Sequence, residues 1–317
     1  MKEILQKKAN RSRAAEDFER KRSILAAQPY DLTIETGAIC PLRCLICEQT
    51  HNDFDLSREF LELDCFKQII DYFCDSIEHI NLFNWGEPLL NPSLCEMIKY
   101  AWLHNIHTAV HTSLNFLNSS LSEQILTSGL TELILSIDGA SERTYQKYRK
   151  GGSFKNVFNN LRLLLSRQKQ INSISPRIIW KFLVFRHNEH EIGAAKKLAD
   201  DLGVEIKFSF AVTNNDLTPT LEEFNNSSFK EKFCKEYDLP CNQLWRGPVI
   251  HSNGDILPCC LVYQKKYVLG NMFNEDFTAL WNNYQYQNMR KTVADKLHPD
   301  SSIYCTSCRF NPRLLSK

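Results

Sequence analysis

Leu32-Thr33-Ile34-Glu35-Thr36-Gly37-Ala38-Ile39-Cys40-Pro41-Leu42-Arg43-Cys44-Leu45-Ile46-Cys47 is the stretch on which the fold turns. A short, partly β-branched run over 32–35 reads as a strand. It opens directly into a loop with Cys-x3-Cys-x2-Cys spacing. Parallel α/β sheets build their sites at the C-terminal ends of strands, so a cysteine-rich loop in that position reads as a site. The alternative is a helix face packing three small apolar thiols, and Gly37, Pro41 and the lack of a longer apolar stripe argue against it. A closed structural zinc needs four ligands and finds three here. Three thiolates are enough to hold a 4Fe-4S cube by three corners, which leaves one iron open to a ligand.

Outward from this loop the pattern alternates. Strands are expected over 32–35, 79–84, 107–111, 132–138, 177–185 and 204–210, with helices near 57–76, 92–104, 119–128, 153–170 and 188–202. Such alternation implies a parallel sheet with right-handed crossovers. The expected fold class is therefore α/β, a partial (β/α)6 TIM-like barrel, followed by a small C-terminal domain. Residues 1–30 read as a helical lead-in, 31–210 as the core and 211–240 as a connecting segment with a helix carrying Phe229 and Phe233. Residues 241–317 read as the second domain, with a hairpin turning at Asn253-Gly254-Asp255 and a helix over 277–290.

Twelve cysteines are anomalous for a chain with no signal-peptide core and no apolar run of membrane length. The chain reads as cytoplasmic, so metal chemistry explains the thiols better than disulfides do. Lys and Arg total 38 against 37 Asp and Glu, which offers no footprint for nucleic acid or a membrane surface. Cys65, Cys74 and Cys95 fall in helical stretches and read as packing residues, and His104, His107 and His111 as ordinary polar positions.

The Cys40, Cys44, Cys47 spacing after the first strand resembles the signature of the radical S-adenosylmethionine (radical SAM) superfamily. The resemblance implies a 4Fe-4S cluster whose open iron chelates S-adenosylmethionine, which is reductively cleaved to a 5′-deoxyadenosyl radical that abstracts a substrate hydrogen. Asn84-Trp85-Gly86-Glu87-Pro88 resembles the family's Gly-Gly-Glu-Pro turn, with Trp85 where glycine is usual. It implies that Gly86 and Glu87 receive the methionine ammonium. Leu135-Ser136-Ile137-Asp138-Gly139 resembles a segment lining the cofactor pocket, which implies roles for Ser136 and Asp138, and Arg149 resembles an arginine that reaches the methionine carboxylate. Thr112, Ser113 and Asn115 match a polar stretch near the ribose more loosely.

Cys241, Gly254-x4-Cys259 and Cys305-x2-Cys308 resemble the SPASM or twitch extension of these enzymes, which houses auxiliary iron-sulfur clusters. Only 309–317 follow the last of these cysteines, so one auxiliary 4Fe-4S cluster is expected, ligated by Cys241, Cys259, Cys305 and Cys308. Spacing alone leaves zinc open as its occupant, and Cys260 open as an exchange for Cys259. Cys234 and Cys260 are the candidate hydrogen-atom donors. Implied partners are S-adenosylmethionine, a small-molecule or peptide substrate, and an electron donor such as flavodoxin or ferredoxin. About 30 residues precede the barrel, short of a winged-helix peptide-recognition module. Oxidation of a sugar or cyclitol carbinol is accordingly the first expectation. Modification of a ribosomally made peptide by cross-linking or epimerisation is the second, and a non-catalytic metal-stabilised scaffold the third.

Overall fold

A computed structural model of the chain describes residues 2–50, 53–211, 217–220, 241–295, 303–306 and 308. Six parallel strands form the core: β1 (Asp31–Ile34), β2 (His79–Asn81), β3 (His107–Thr112), β4 (Glu132–Ser136), β5 (Arg177–Val184) and β6 (Glu205–Phe210). The helices α2 (Leu63–Phe73), α3 (Leu94–Leu103), α4 (Ser119–Thr127), α5 (Glu142–Tyr148), α6 (Phe154–Gln170) and α7 (Ile192–Leu202) lie between successive strands. This is the α/β partial-barrel architecture the alternation implied.

Packing follows strand periodicity. Leu32, Ile34, Ile80, Val110, Leu133, Leu135, Trp180 and Phe182 alternate onto the helix-covered face and are fully buried. The opposite face carries Glu35, Phe83, His111, Ser136 and Lys181, and Ser136 and Lys181 stand side by side in register. These polar side chains thus stand on the inner surface, toward the C-terminal ends of the strands.

The sheet does not stop at β1. Val249–Ile250 (β7) pairs with it in parallel, Thr33 opposite Val249, and Ile256–Leu257 (β8) pairs back antiparallel through the Gly254 turn. The strand order is β6-β5-β4-β3-β2-β1-β7-β8, so the C-terminal segment continues the core sheet.

Departures from the expected elements have local causes. The helix expected from 57 begins at Leu63, because residues 60 and 61 cross the end of β1: Phe60 bridges Gly37 and Leu61 N–H donates to Thr36 O at 3.0 Å. The short α5 lacks a long apolar stripe and has instead an N-cap, the Ser141 hydroxyl accepting from Thr144 N–H at 3.3 Å. The helix expected over 277–290 is two helices, Phe277–Trp281 and Tyr284–Asp295, with Asn283 Oδ1 accepting from Tyr286 N–H at 2.9 Å at the break. Cys234 and the helix expected around Phe229 and Phe233 lie outside the described residues. No helix among the described residues is long and apolar enough to cross a membrane.

The lead-in helix α1 (Lys2–Glu19) is fastened both to the core and to the C-terminal segment. Lys7 Nζ donates to His104 O at 3.0 Å, and the Phe18 ring meets Trp245 edge-on at 5.4 Å. Arg290, which is fully buried, completes the attachment. It donates to Leu244 O (3.0 Å), Ser23 O (3.0 Å), Trp281 O (2.9 Å) and Asn282 Oδ1 (3.2 Å), between the rings of Trp281 and Tyr286. Burial pushes its pKa down to about 10, leaving it charged at neutral pH. Arg290→Leu would strand those acceptors, and we expect destabilisation of about 3 kcal/mol. An unchanged urea midpoint would show that the buried guanidinium does not hold these segments together.

Candidate active site

The cysteine loop is held from two sides. Toward α5, Arg43 N–H donates to Lys150 O at 2.8 Å and Leu45 N–H to Tyr148 O at 3.3 Å. Toward the β2 turn, Glu87 N–H donates to Ile39 O at 3.0 Å. Gly86 passes so close to Gly37 that an added Cβ would stand 1.7 Å from the Gly37 carbonyl oxygen. Cys40, Cys44 and Cys47 all belong to one apolar cluster with Leu42, Tyr148, Phe185 and Ala211, with Cys44 buried and the other two half-buried. Burial pushes the Cys40 thiol up to about 12 and the Cys47 thiol up to about 11, and the neighbouring thiols add to the rise. Such thiols stay protonated at neutral pH until a metal takes the place of the protons.

Glu35, at the end of β1, is a site residue the sequence reading did not single out. Fully buried, it accepts from Trp85 N–H, from Gly37 N–H at 3.3 Å and from the Gly86 backbone. One carboxylate therefore ties the end of β1, the cysteine loop and the β2 turn together. Its signal in the sequence is a carboxylate at an inward position just where the first strand opens into the cysteine loop.

The expected cofactor-binding residues fall into two sets. Glu87 is buried, and both of its oxygens are already engaged. Oε1 accepts from Thr112 Oγ1 (2.6 Å) and Leu89 N–H (3.2 Å), and Oε2 from Ser113 N–H (2.8 Å) and Ser113 Oγ (2.6 Å). Asn115 is likewise engaged, donating to Tyr145 Oη at 2.8 Å and accepting from Ser153 N–H at 3.0 Å. Asp138, expected on the cofactor, is instead buried behind Arg149. Its Oδ2 accepts from Arg149 Nε at 2.7 Å and pairs with Nη2 at 2.7 Å, and Oδ1 accepts from Leu183 N–H at 2.7 Å. Ser136 is half-buried and makes no side-chain hydrogen bond among the described residues, so its hydroxyl is open to a ligand.

Trp85 explains its own departure from the resembled turn. Its indole N–H donates to Val262 O at 3.1 Å, and its ring meets Phe54 and Tyr263 edge-on. Val262 and Tyr263 belong to the C-terminal segment, so the tryptophan bolts the core turn to that segment.

The second thiol group assembles beside it. Cys259 packs in the Trp85 cluster, and its thiol is held well above the ordinary value by burial and by Cys260, Cys305 and Cys308 nearby. Cys241 lies within the field of both Cys260 and Cys305. Five cysteines thus gather where four ligands were expected, and Cys260 is the one whose surroundings include Lys181 on the inner face of β5. The thiols gather without touching: among the described residues no three His, Cys, Asp or Glu side chains stand close enough to hold a single ion. A four-iron cube is wider than an ion and needs no such approach.

Lys181 also acts on His111, which stacks on Phe83 with centroids 3.8 Å apart. Burial, with the Lys181 charge added, pushes His111 down to about 3 and keeps it neutral. His111 is therefore part of an aromatic platform inside the barrel, not the ordinary polar position its alternation suggested.

Sequence models of known families match two parts of the chain: the Radical SAM superfamily over residues 34–178, and SPASM, an iron-sulfur cluster-binding domain, over 241–309. The chain belongs to the radical SAM superfamily and carries a C-terminal SPASM domain. Its cofactors are accordingly S-adenosylmethionine with a 4Fe-4S cluster, and auxiliary iron-sulfur in the SPASM domain. The two thiol groups fit these in number, softness and position. Among curated relatives, the AdoMet-dependent heme synthase of Methanosarcina barkeri is 27% identical over 55% of this chain and 48% of its own length. The mycofactocin maturase MftC of Mycobacterium ulcerans is 25% identical over 88% and 80%. The subtilosin biosynthesis protein AlbA of Bacillus subtilis is 22% identical over 80% and 60%. The chain thus spans about half the length of the first of these and three fifths of the last. The fold is shared with Streptococcus suis SuiB bound to S-adenosylmethionine, at a TM-score of 0.68 and 14% identity, covering 95% of this chain and 75% of SuiB. SuiB bound to its precursor peptide SuiA matches at 0.65.

Two outcomes test this geometry. Gly86→Ala forces the turn off the Gly37 carbonyl, and we expect iron incorporation at the first site to fall at least severalfold, measured by iron and sulfide analysis after anaerobic reconstitution. Burial raises Glu35 to about 7 from an ordinary 4.5, so between those values the folded chain keeps a proton the unfolded chain has lost. Stability should therefore fall as pH rises through that window, and Glu35→Gln should flatten the fall, read from urea midpoints at about pH 5 and about pH 8.

Proposed function

We propose that the protein is a peptide maturase that uses S-adenosylmethionine to begin radical chemistry on a ribosomally made peptide. The cofactors, when bound, supply reductive cleavage of the sulfonium to a 5′-deoxyadenosyl radical. The chain's own work is binding, orientation and exclusion of water. Cys40, Cys44 and Cys47 would hold the first cluster. Cys241, Cys259, Cys305 and Cys308 would hold the auxiliary one, with the exposed Cys260 beside them in the field of Lys181. Ser136 and the carbonyl of Gly86, whose N–H is already held by Glu35, are the groups left to contact the cofactor. Glu87 would act mainly by fixing the turn, since its acceptor positions are filled from within.

The observation that carries this reading is an inner face bounded by two thiol sites, in a chain aligned with a maturase over 88% of its length. Small size and the short lead-in pointed first to oxidation of a sugar or cyclitol carbinol, but the relatives favour a peptide. On the inner face Phe83, His111 and Lys181 present an aromatic platform beside a cation, and a primary carbon radical demands such a lined space.

Anaerobic assay with candidate precursor peptides and with carbohydrates, followed by mass spectrometry in deuterated water, separates the readings. Peptide losing two hydrogens or gaining solvent deuterium is the expected result, and turnover of carbohydrate alone would overturn the proposal. In the same assay Cys40→Ala should release no 5′-deoxyadenosine, and its iron should drop from about eight to about four per chain.

A further inference from the structure

Arg149 ends α5, and its guanidinium lies between a carboxylate and a cysteine. Nε donates to Asp138 Oδ2 at 2.7 Å, and Nη2 makes an ion pair with the same oxygen at 2.7 Å. The third nitrogen, Nη1, points the other way, 3.7 Å from Cys44 Sγ. Nothing in this arrangement is loose. Asp138 is 1% exposed, its second oxygen accepts from Leu183 N–H, and its carbonyl accepts from Asn188 Nδ2 at 3.2 Å. On the other side Cys44 is 6% exposed and packs with Leu42, Tyr148 and Phe185. The backbone bonds from Arg43 to Lys150 and from Leu45 to Tyr148 clamp the residues flanking both partners. Burial works against the charge on Arg149, but the Asp138 carboxylate beside it outweighs that cost, and the guanidinium stays protonated.

We propose that Arg149, aimed by Asp138, donates a charged hydrogen bond to the Cys44 ligand sulfur and so raises the reduction potential of the cluster at Cys40, Cys44 and Cys47. The inference rests on the reading that these cysteines hold that cluster. Adding an electron increases negative charge on the sulfurs, and a fixed donor in a poorly solvated site stabilises the more negative state more than the less negative one. Direction matters as well as charge. Asp138 neutralises the arginine as seen from far away, so the pair acts locally, with its positive end toward the sulfur and its negative end behind. Asp138 is thus a positioning residue, with no contact to the cluster of its own.

The test is a redox titration of reconstituted full-length protein followed by electron paramagnetic resonance without S-adenosylmethionine. The cluster in question is identified by the change in its signal when the cofactor is added afterwards. Arg149→Met should make reduction about tenfold less favourable, a fall of about 59 mV for one electron. Asp138→Asn, which leaves the arginine present but unaimed, should move the potential the same way by a smaller amount, and Arg149→Lys should restore part of it. Iron content equal to wild type certifies each comparison. An unchanged potential in Arg149→Met with full iron overturns the proposal. Weakened cofactor binding with no change of potential also overturns it, and would assign the arginine to the methionine carboxylate. A shift in Arg149→Met with none in Asp138→Asn removes the positioning role. Wild-type protein with no cofactor-sensitive signal would instead break the underlying cluster reading, a result distinct from the others.

Discussion

The contact on which the site depends is backbone against backbone: Gly86 lies against the Gly37 carbonyl so closely that no side chain fits between them. Close packing of this kind does not stretch, because a gap of even an ångström forfeits much of the dispersion energy of the atoms that face it. The β2 turn and the cysteine loop therefore move as one piece. Glu35 reinforces the joint from beneath by accepting from backbone on both sides of it. Its cost is a fully buried carboxyl that is reluctant to ionise, and the three backbone donors offset part of that cost.

Once the joint is rigid, polar side chains separate by whether they are already satisfied. Glu87, Asn115 and Asp138 sit at the strand ends where ligands are expected, yet their hydrogen-bonding groups are taken up within the protein. A saturated, buried carboxylate defines shape and field more than it binds. The groups left to meet a ligand are fewer: the Ser136 hydroxyl, the Gly86 carbonyl and the Lys181 side chain. A cofactor with an ammonium, a carboxylate and a ribose would have to be met chiefly by backbone and by these few side chains.

Much of the core was legible because it obeys strong local rules. Strand and helix alternation placed every core strand to within three residues at either end, since half-buried strands expose their period directly in sequence. The cysteine groups were legible because thiols in such number have few other uses. What remained hidden depends on distant partners. Nothing near Asp138 announces that Arg149 will lie against it, and the seven-residue α5 that carries the arginine there has no apolar stripe to reveal it. His111 alternated as expected, but its neutrality comes from burial and from a lysine two strands away. Continuation of the sheet into β7 was equally invisible, because two residues carry no period.

Trp85 shows how a departure from a motif can be informative. The turn it occupies resembles one that carries glycine there, and its peptide N–H does what a glycine's would, donating to Glu35. Its side chain does something else: the indole crosses to Val262 and Tyr263 and fixes the C-terminal segment against the core turn. With Asn84 in the amide orientation its neighbours favour, a second bond runs from the same turn to Cys260 O at 3.1 Å. The two thiol groups are thereby referenced to one turn, and Lys181 reaches the neighbourhood of Cys260 from the opposite wall. The spacing of the two thiol groups is thus held in part by a tryptophan, and a smaller residue at position 85 would loosen the register between them before it disturbed either one.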